Sequence, residues 1–443
     1  MTGISHKLLW KLSWLSLSEA DRDIWKLKVE IPEEAPAFLR RYQPTSVEEK
    51  IAYYSLFLDL MGWRTRDLIA APEFTLAGTY PVPHGLPTHR FTGAWAEENL
   101  YDTLAWRTIF RTFIPQLLEN LERGENERAA QLAGLLAHVI QDAASFGHIL
   151  PNQLFYQLFP EETGPHFNYH QIFDEPSPDL QPVSPVLLGT SPAEFIFRLA
   201  MAGEQNYRQA LRLLIPAVQL CRHGEISRLN NLVQPLFHNT VFQVASLFHT
   251  AAALASGRVR PDEKTLATFD LTLAVEHYLH PAPKYGSVVP RHHSLVAGQR
   301  VPLVLNSFSG PVTISRGFGL SSFHSLRFLL EPGAFDLFEG EIGLSCQYTE
   351  EQEEQMDLEF FIGLDTAWNT TVTSDLEYGP ALTKVFSCRL RPGEPAITFS
   401  VPLHRAQTLL LAVLPHPKKI DGKEVCWYPH VVLGNPRLVK STR

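Results

Sequence analysis

The stretch from Ala129 to Leu150, AAQLAGLLAHVIQDAASFGHIL, reads as a helix that is apolar on nearly every side. A helix with no solvent face belongs in the middle of a helical domain. Three polar residues are set into it: His138, Asp142 and, just past Gly147, His148. Residues four apart lie about 40° around an α-helix, so His138 and Asp142 project from one face. A buried carboxylate is costly unless a cation meets it. Between Arg128 and Arg198 the sequence has no Lys or Arg. A metal ion would satisfy all three groups at once.

The next segment points the same way. It reads GPHFNYHQIF, where Pro165 suits a first helical turn and His166 and His170 share a face. Five candidate ligands (His138, Asp142, His148, His166 and His170) thus fall within 33 positions. Taken singly, each would be read as a hydrogen-bonded core residue. Their density on two adjacent helical starts favours a nitrogen- and oxygen-ligated metal site.

At 443 residues the chain exceeds one typical core, so two domains are expected. A net charge of -9 argues against a general polyanion-binding surface. Cys221, Cys346, Cys388 and Cys426 are far apart with no CxxC, so metal binding falls to histidine and carboxylate. No run approaches the roughly 20 apolar residues of a membrane helix. The opening MTGISHKLLWKLSWLSLSEAD makes a poor signal peptide, because Lys11 interrupts it and no small-residue cleavage site follows. A cytoplasmic protein and a secreted one with its signal removed both fit.

In chain order, Leu8, Leu9, Leu12 and Trp14 predict an amphipathic helix over 5–14, with His6 in its first turn. Charged residues dominate from there to Pro44. Ser46 and Glu49 form a capping-box signature before EEKIAYYSLFLDLMGW. A Pro- and Gly-rich loop over about 70–87 holds Glu73 and His84, with His89 just beyond. Helices are expected over about 94–123, 192–221 and 225–256, with a loop-like stretch from Gly147 to Ser191. Near Gly257 the texture changes to short β-rich runs: VPLVLNSF, GPVTIS, FDLFEGEIGLSCQY, LEFFIGLD, ALTKVFSCRL, AITFSVPL, TLLLAVLP and VVLGNPRLV. Alternation with Gly/Pro punctuation indicates an antiparallel β-sandwich. The fold class is multidomain α plus β: helical over 1–258, an inter-domain segment over 259–300, and a sandwich over 301–443.

His138-x3-Asp142-x5-His148 followed by His166-x3-His170 resembles the zinc-dependent phospholipase C and fungal single-strand nuclease superfamily. Its members read H-x3-D-x5-H on the central helix, then H-x3-E or H-x3-D. AAPEF around Glu73, the placing of His89 and His6, and AEFIFRLAMAGEQNYRQAL extend the likeness over about residues 1–258. The resemblance implies an all-α bundle of phospholipase C type with two or three zinc ions. Glu73, His89, His138 and Asp142 would hold one ion, and His148, His166 and His170 a second. His6 and a shared Asp142 would hold the third, with the terminal amine. Three positions depart from the pattern. Glu73 replaces Asp, His170 replaces a carboxylate, and Met1-Thr2-Gly3 stands where the family has an N-terminal Trp. The implied activity is phosphodiester hydrolysis, with Asp142 and Glu73 as catalytic carboxylates and Glu73 able to take a proton from water.

The run TISRGFGLSSFHSLRFLLEPGAFDLFEGEIGL and the closing TLLLAVLP and VVLGNPRLV resemble a carbohydrate-binding-module family often attached to glycoside-processing enzymes, over about 265–440. That likeness implies glycan as a partner, with Trp368 and Trp427 as stacking candidates. The substrate expected for the helical domain is a phosphodiester, either a phospholipid head group or single-stranded nucleic acid. A nuclease or phosphatase would use Phe146, Phe155, Tyr156, Phe167 and Tyr169 over the cluster to stack unpaired bases. A non-catalytic glycan-binding or scaffold protein with a degraded metal site is the third reading. Either His84 or His89 could be the loop ligand, and spacing favours His89; the His292-His293 pair is read as surface, and His238 and His249, with His223 on the late helices, as core histidines.

Overall fold

The computed structural model describes residues 4–33, 43–55, 99–146, 157–159, 176–259, 268–274, 289–296, 299–321, 325–345, 357–366, 382–415, 419–420, 423–424 and 430–441. The chain divides into two compact units, Met1–Lys264 and Thr265–Arg443, the first helical and the second of antiparallel strands. It is a mixed α plus β protein.

The helical unit contains α1 (Ile4–Leu15), α2 (Glu19–Trp25), α3 (Val47–Ser55), α4 (Asn99–Glu122), α5 (Asn126–Asp142), α6 (Pro192–Arg222) and α7 (Ile226–Ser256). Helix α5 is the apolar helix expected from the sequence, and every residue from Ala129 to Asp142 is buried. It ends earlier than its apolar run suggested. The Ala144 and Ser145 N–H groups bond back three residues, to Gln141 and Asp142 carbonyls, and this tightening closes the helix at Asp142. Residues 147–150 of that run lie outside the described residues. Helix α2 was not anticipated from its charged sequence. It forms because Ser18 caps Asp21 N–H, with Glu19 and Asp21 placed in its first turn.

Helix α3 fixes the position of α5. A Cβ added at Gly134 would sit 2.6 Å from the Tyr54 carbonyl oxygen, so only glycine permits this approach. In the first turn of α5, Glu127 accepts from the buried Lys50 ammonium at 2.6 Å and from the Tyr54 hydroxyl. Lys50 also donates to the Lys28 and Glu30 carbonyls, so its burial leaves no donor stranded. The expected capping box is modified. Ser46 Oγ caps Glu49 N–H, but Glu49 reaches back to the backbone and hydroxyl of Thr45.

On α7, Phe248 receives Trp10, Trp14 and Trp25 edge-on at 5.3, 5.7 and 5.0 Å between ring centroids. These T-shaped contacts tie α1 and α2 to α7. Further along α7, His249 Nδ1 lies 3.0 Å from Asp21 Oδ2. The irregular stretch before α6 is held as a strap. Val186 and Leu188 N–H donate to Ser246 and Thr250, four apart on one face of α7.

In the second unit every run read as a strand contains one. In order they are β1 (Thr268–Asp270), β2 (Ser294–Val296), β3 (Gln299–Val301), β4 (Leu303–Ser307), β5 (Gly310–Ile314), β6 (Gly317–Leu320), β7 (Ser325–Leu329) and β8 (Leu337–Leu344). Then come β9 (Leu358–Asp365), β10 (Leu382–Leu390), β11 (Ile397–Pro402), β12 (Thr408–Pro415), β13 (Lys419–Ile420), β14 (Lys423–Glu424) and β15 (Val431–Val439). One sheet runs β1-β15-β8-β11, with β6 also on β15, and the other runs β10-β9-β12-β7, all antiparallel. Phe399 of the first sheet meets Phe360 and Phe386 of the second at 6.1 and 5.4 Å, and Phe318 meets Phe328 at 6.0 Å. The sheets therefore face each other as a sandwich. Part of the stretch read as an inter-domain segment, 259–300, contributes to this unit: β1 pairs with β15 and buries Phe269.

Two outcomes follow from this packing. Helix propensity alone makes Gly134→Ala stabilising by about 1 kcal/mol. The Tyr54 clash reverses the sign, and thermal or urea unfolding is expected to show a net loss of about 1–3 kcal/mol. At Asp21, burial pushes the carboxyl up, while hydrogen bonds from His249 and Ser18 and the His249 charge outweigh it and hold the carboxyl below its usual value of 3.8. Its contribution is full above that value and is lost as pH falls through the lowered one. The stability curves of the wild type and Asp21→Asn are expected to converge on acidification below pH 3.8 and to separate above it.

Candidate functional site

The helical unit buries a histidine–carboxylate pair at its centre. His138 Nε2 and Asp142 Oδ2 stand 3.1 Å apart on α5, with side chains 0% and 1% exposed. Their spacing of four places them on one helical face, as the sequence implied. Ala137, Val139 and Ile140 around them are fully buried. Water screening of the pair is therefore slight.

The pair lies in a helix that α6 and α7 address with polar groups. Asn206 of α6 donates to the Ile140 carbonyl at 3.2 Å and to Gln243 Oε1 of α7 at 2.6 Å. Asn239 donates to Asn206 Oδ1 at 2.9 Å, and Gln243 Nε2 reaches the Ala202 carbonyl at 3.3 Å. Gln141 and Glu204 are also buried. Glu204, a second interior carboxylate, was not singled out from the sequence. Its run, AEFIFRLAMAGE, already carries Glu194 and Arg198, so a further acid there gave no distinct signal.

Of the expected ligands, the structure brings together His138 and Asp142. His6 lies in α1, and Glu73, His89, His148, His166 and His170 lie outside the described residues. Among the described residues no group of three or more His, Cys, Asp or Glu converges. The donor set present suits zinc, since imidazole nitrogen and carboxylate oxygen are both zinc ligands. Phe146 is corrected as a base-stacking candidate: it is fully buried, in a core with Leu9, Ala144 and Phe237. Phe155, Tyr156, Phe167 and Tyr169 lie outside the described residues. His223, His238 and His292 are exposed, and His249 is spent on Asp21.

The sandwich carries a second candidate site, which the sequence reading missed. An open groove of about 740 Å³ lies on the outer face of the β1-β15-β8-β11 sheet. Asp270, Arg316, Glu339, Glu341, Asn435 and Arg437 supply its charged and amide groups. Arg437 bonds Glu339 Oε2 through Nε and Nη2 at 3.0 and 2.8 Å, and Arg316 bonds Asp270 Oδ2 at 3.2 Å. Asn435 donates to Glu341 Oε1 at 2.7 Å, and Ser400 to Glu339 Oε1 at 3.2 Å. The available signal was the alternation in FEGEI, which turns Glu339 and Glu341 to one face. Trp368 and Trp427 lie outside the described residues.

No protein-family profile matches this sequence, and no curated protein does. Solved structures similar to the chain, over its β portion, are family 51 carbohydrate-binding modules. One is the second such module of ZmpB from Clostridium perfringens, with its INT domains and GlcNAc, at 15% identity and a TM-score of 0.27. The likeness covers 39% of this chain and 31% of that one. Another is the module of a Clostridium perfringens family 95 glycoside hydrolase with methyl-galactose, at 18% identity and a TM-score of 0.28, covering 39% of this chain and 99% of that one. A third is the tandem modules of a family 98 glycoside hydrolase from Streptococcus pneumoniae, at 16% identity and a TM-score of 0.31, covering 40% and 48%. The sandwich assignment rests on the strand pairing and inter-sheet aromatic contacts described above. No helix among the described residues is long and apolar enough to cross a membrane.

Proposed function

We propose that the chain is a zinc-dependent phosphodiester hydrolase of phospholipase C type, with its centre in the helical unit and a glycan-binding β-sandwich attached. The observation that carries the reading is the His138–Asp142 pair, wholly withdrawn from water on an otherwise apolar helix. Buried, charge-bearing groups of this kind cluster at functional sites. The H-x3-D-x5-H pattern and its downstream histidines support the same assignment.

In this reading His138 and Asp142, with Glu73 and His89, would hold one ion; His148, His166 and His170 would hold a second; and His6 would join Asp142 at a third. Zinc, when bound, would supply a water whose pKa is lowered towards about 7, hence hydroxide at neutral pH, and an electrophile for phosphoryl oxygens. Asp142 offsets cationic charge in a place where no solvent can do so. His138 contributes a neutral nitrogen on the same face, which keeps the net charge of the first site low. Glu73 would either ligate the ion or serve as the base that takes the water's proton. Burial of Phe146 removes one stacking surface from the single-strand nuclease alternative.

The sandwich is read as the glycan-binding part. Its support is a groove lined by hydroxyl, amide, carboxylate and guanidinium groups, a polar mixture suited to sugar hydroxyls. Two of the modules named above were captured with sugars, one with GlcNAc and one with methyl-galactose.

The test uses the full chain. Elemental analysis of the wild type is expected to give two or three zinc ions per chain, and a phosphatidylcholine analogue is expected to be hydrolysed faster than single-stranded DNA. Asp142→Ala, with its fold checked by circular dichroism, should lose metal and at least about 100-fold in rate, since even residues that merely support a ligand cost 10–100-fold. Persistence of both metal and diesterase activity in a folded Asp142→Ala protein would overturn the hydrolase assignment. A wild type with fewer than two ions and no diesterase activity would leave the non-catalytic reading.

A further inference from the structure

The outer face of the β1-β15-β8-β11 sheet is half covered. The β4–β5 hairpin lies on one half, where Leu303, Leu305 and Ile314 cover Val432, and a Cβ at Gly343 would stand 3.1 Å from Leu305. Two residues along β8 the cover ends, and Glu341 and Glu339 face the open groove. A fully open sheet face is a flat solvated surface on which paired charges do nothing further. Here the step from covered to uncovered sheet makes a recess.

The floor of the recess is shaped by two backbone features. Gly434 stands directly opposite Glu341 in the ladder, and a Cβ there would come within 2.9 Å of Glu341 Cγ. The Glu341 side chain thus lies across β15 over a residue with no side chain of its own. Immediately afterwards the β15–β8 register slips between Gly434 and Arg437, placing one extra residue on β15. Asn435 takes up the bulge at φ +48, a left-handed conformation that asparagine tolerates better than most residues. Its N–H donates to the Arg316 carbonyl at 2.8 Å while its side chain holds Glu341. The bulge therefore connects both walls.

We infer that this recess is a saccharide-binding site, which rests on the reading of the sandwich as glycan-binding and adds the place and the ligand class. Its volume falls within the roughly 300–1,000 Å³ of small-molecule sites. Three carboxylates and two guanidiniums line it, so it is close to charge-balanced and selects a neutral, hydroxyl-rich ligand over a phosphate or a polyanion. The lining groups hold one another in place through the pairs described above, which lowers the ordering cost of binding. Among the described residues, Glu341 Oε2, Arg437 Nη1 and the Thr398 hydroxyl are engaged by no protein group and face the groove. They supply an acceptor, a donor and a two-way hydroxyl for adjacent sugar hydroxyls.

The experiment applies the purified full chain to a glycan array of neutral and sialylated oligosaccharides. Titration calorimetry of the wild type, Glu341→Gln, Arg437→Gln and Trp427→Ala with the best neutral hit then follows. Glu341→Gln keeps the Asn435 bond and the side-chain shape, so its melting temperature should be unchanged. Each groove variant is expected to weaken binding about tenfold, the equivalent of one hydrogen bond to a charged group. Wild-type affinity in both groove variants, with loss confined to Trp427→Ala, would overturn the groove while leaving the glycan reading intact. Preference for sialylated glycans would contradict the charge-balance argument and overturn the inferred ligand class. No binding to any glycan would overturn the glycan reading and the groove together.

Discussion

A carboxylate and an imidazole packed into the centre of a hydrocarbon helix impose the central constraint on this molecule. Asp142 and His138 have no access to water, so their charge and hydrogen-bonding capacity must be met inside the protein. Withdrawing a carboxylate from water costs several kcal/mol, a sizeable part of the 5–15 kcal/mol by which a domain is usually stable. Two leucines in their place would fill the same volume without that cost. The chain carries the pair at that cost, and metal-dependent chemistry is the function proposed for it.

The rest of the helical unit holds this helix still. Gly134 lets α3 come into backbone contact, Lys50 and Tyr54 fasten Glu127 in the first turn of α5, and Asn206 fastens the backbone two residues before Asp142. Phe248 locks α1 and α2 against α7 through three indoles. A site needs its ligands fixed to within a fraction of an ångström, and rigid helices supply that better than loops do. In the sandwich the same principle takes another form. A covered half-sheet, one bulge and the short bend that carries Arg316 place charged groups around a recess.

The architecture was largely legible in the sequence because it follows from periodicity. The apolar run around His138 marked α5, and alternation marked every long strand. What escaped has physical reasons. Helix α2 is short and charged, and it depends on a cap and on Trp25 reaching Phe248, which no local pattern reveals. The end of α5 at Asp142 is set by three-residue hydrogen bonds in a segment whose composition stays apolar. The seating of β1 in the main sheet depends on pairing with β15, over 160 positions away. Of the candidate sites, the His138–Asp142 face was legible because four-residue spacing is a local property. The groove was not, because Asp270, Arg316, Glu341 and Arg437 meet only through strand pairing.

Anomalous scattering at the zinc edge from crystals of the full chain tests the central claim most directly. Peaks are expected within bonding distance of His138 Nε2 and of an Asp142 carboxylate oxygen, with further density at the remaining histidines. An empty position there, with both side chains bonded solely to protein groups in well-ordered density, would contradict it.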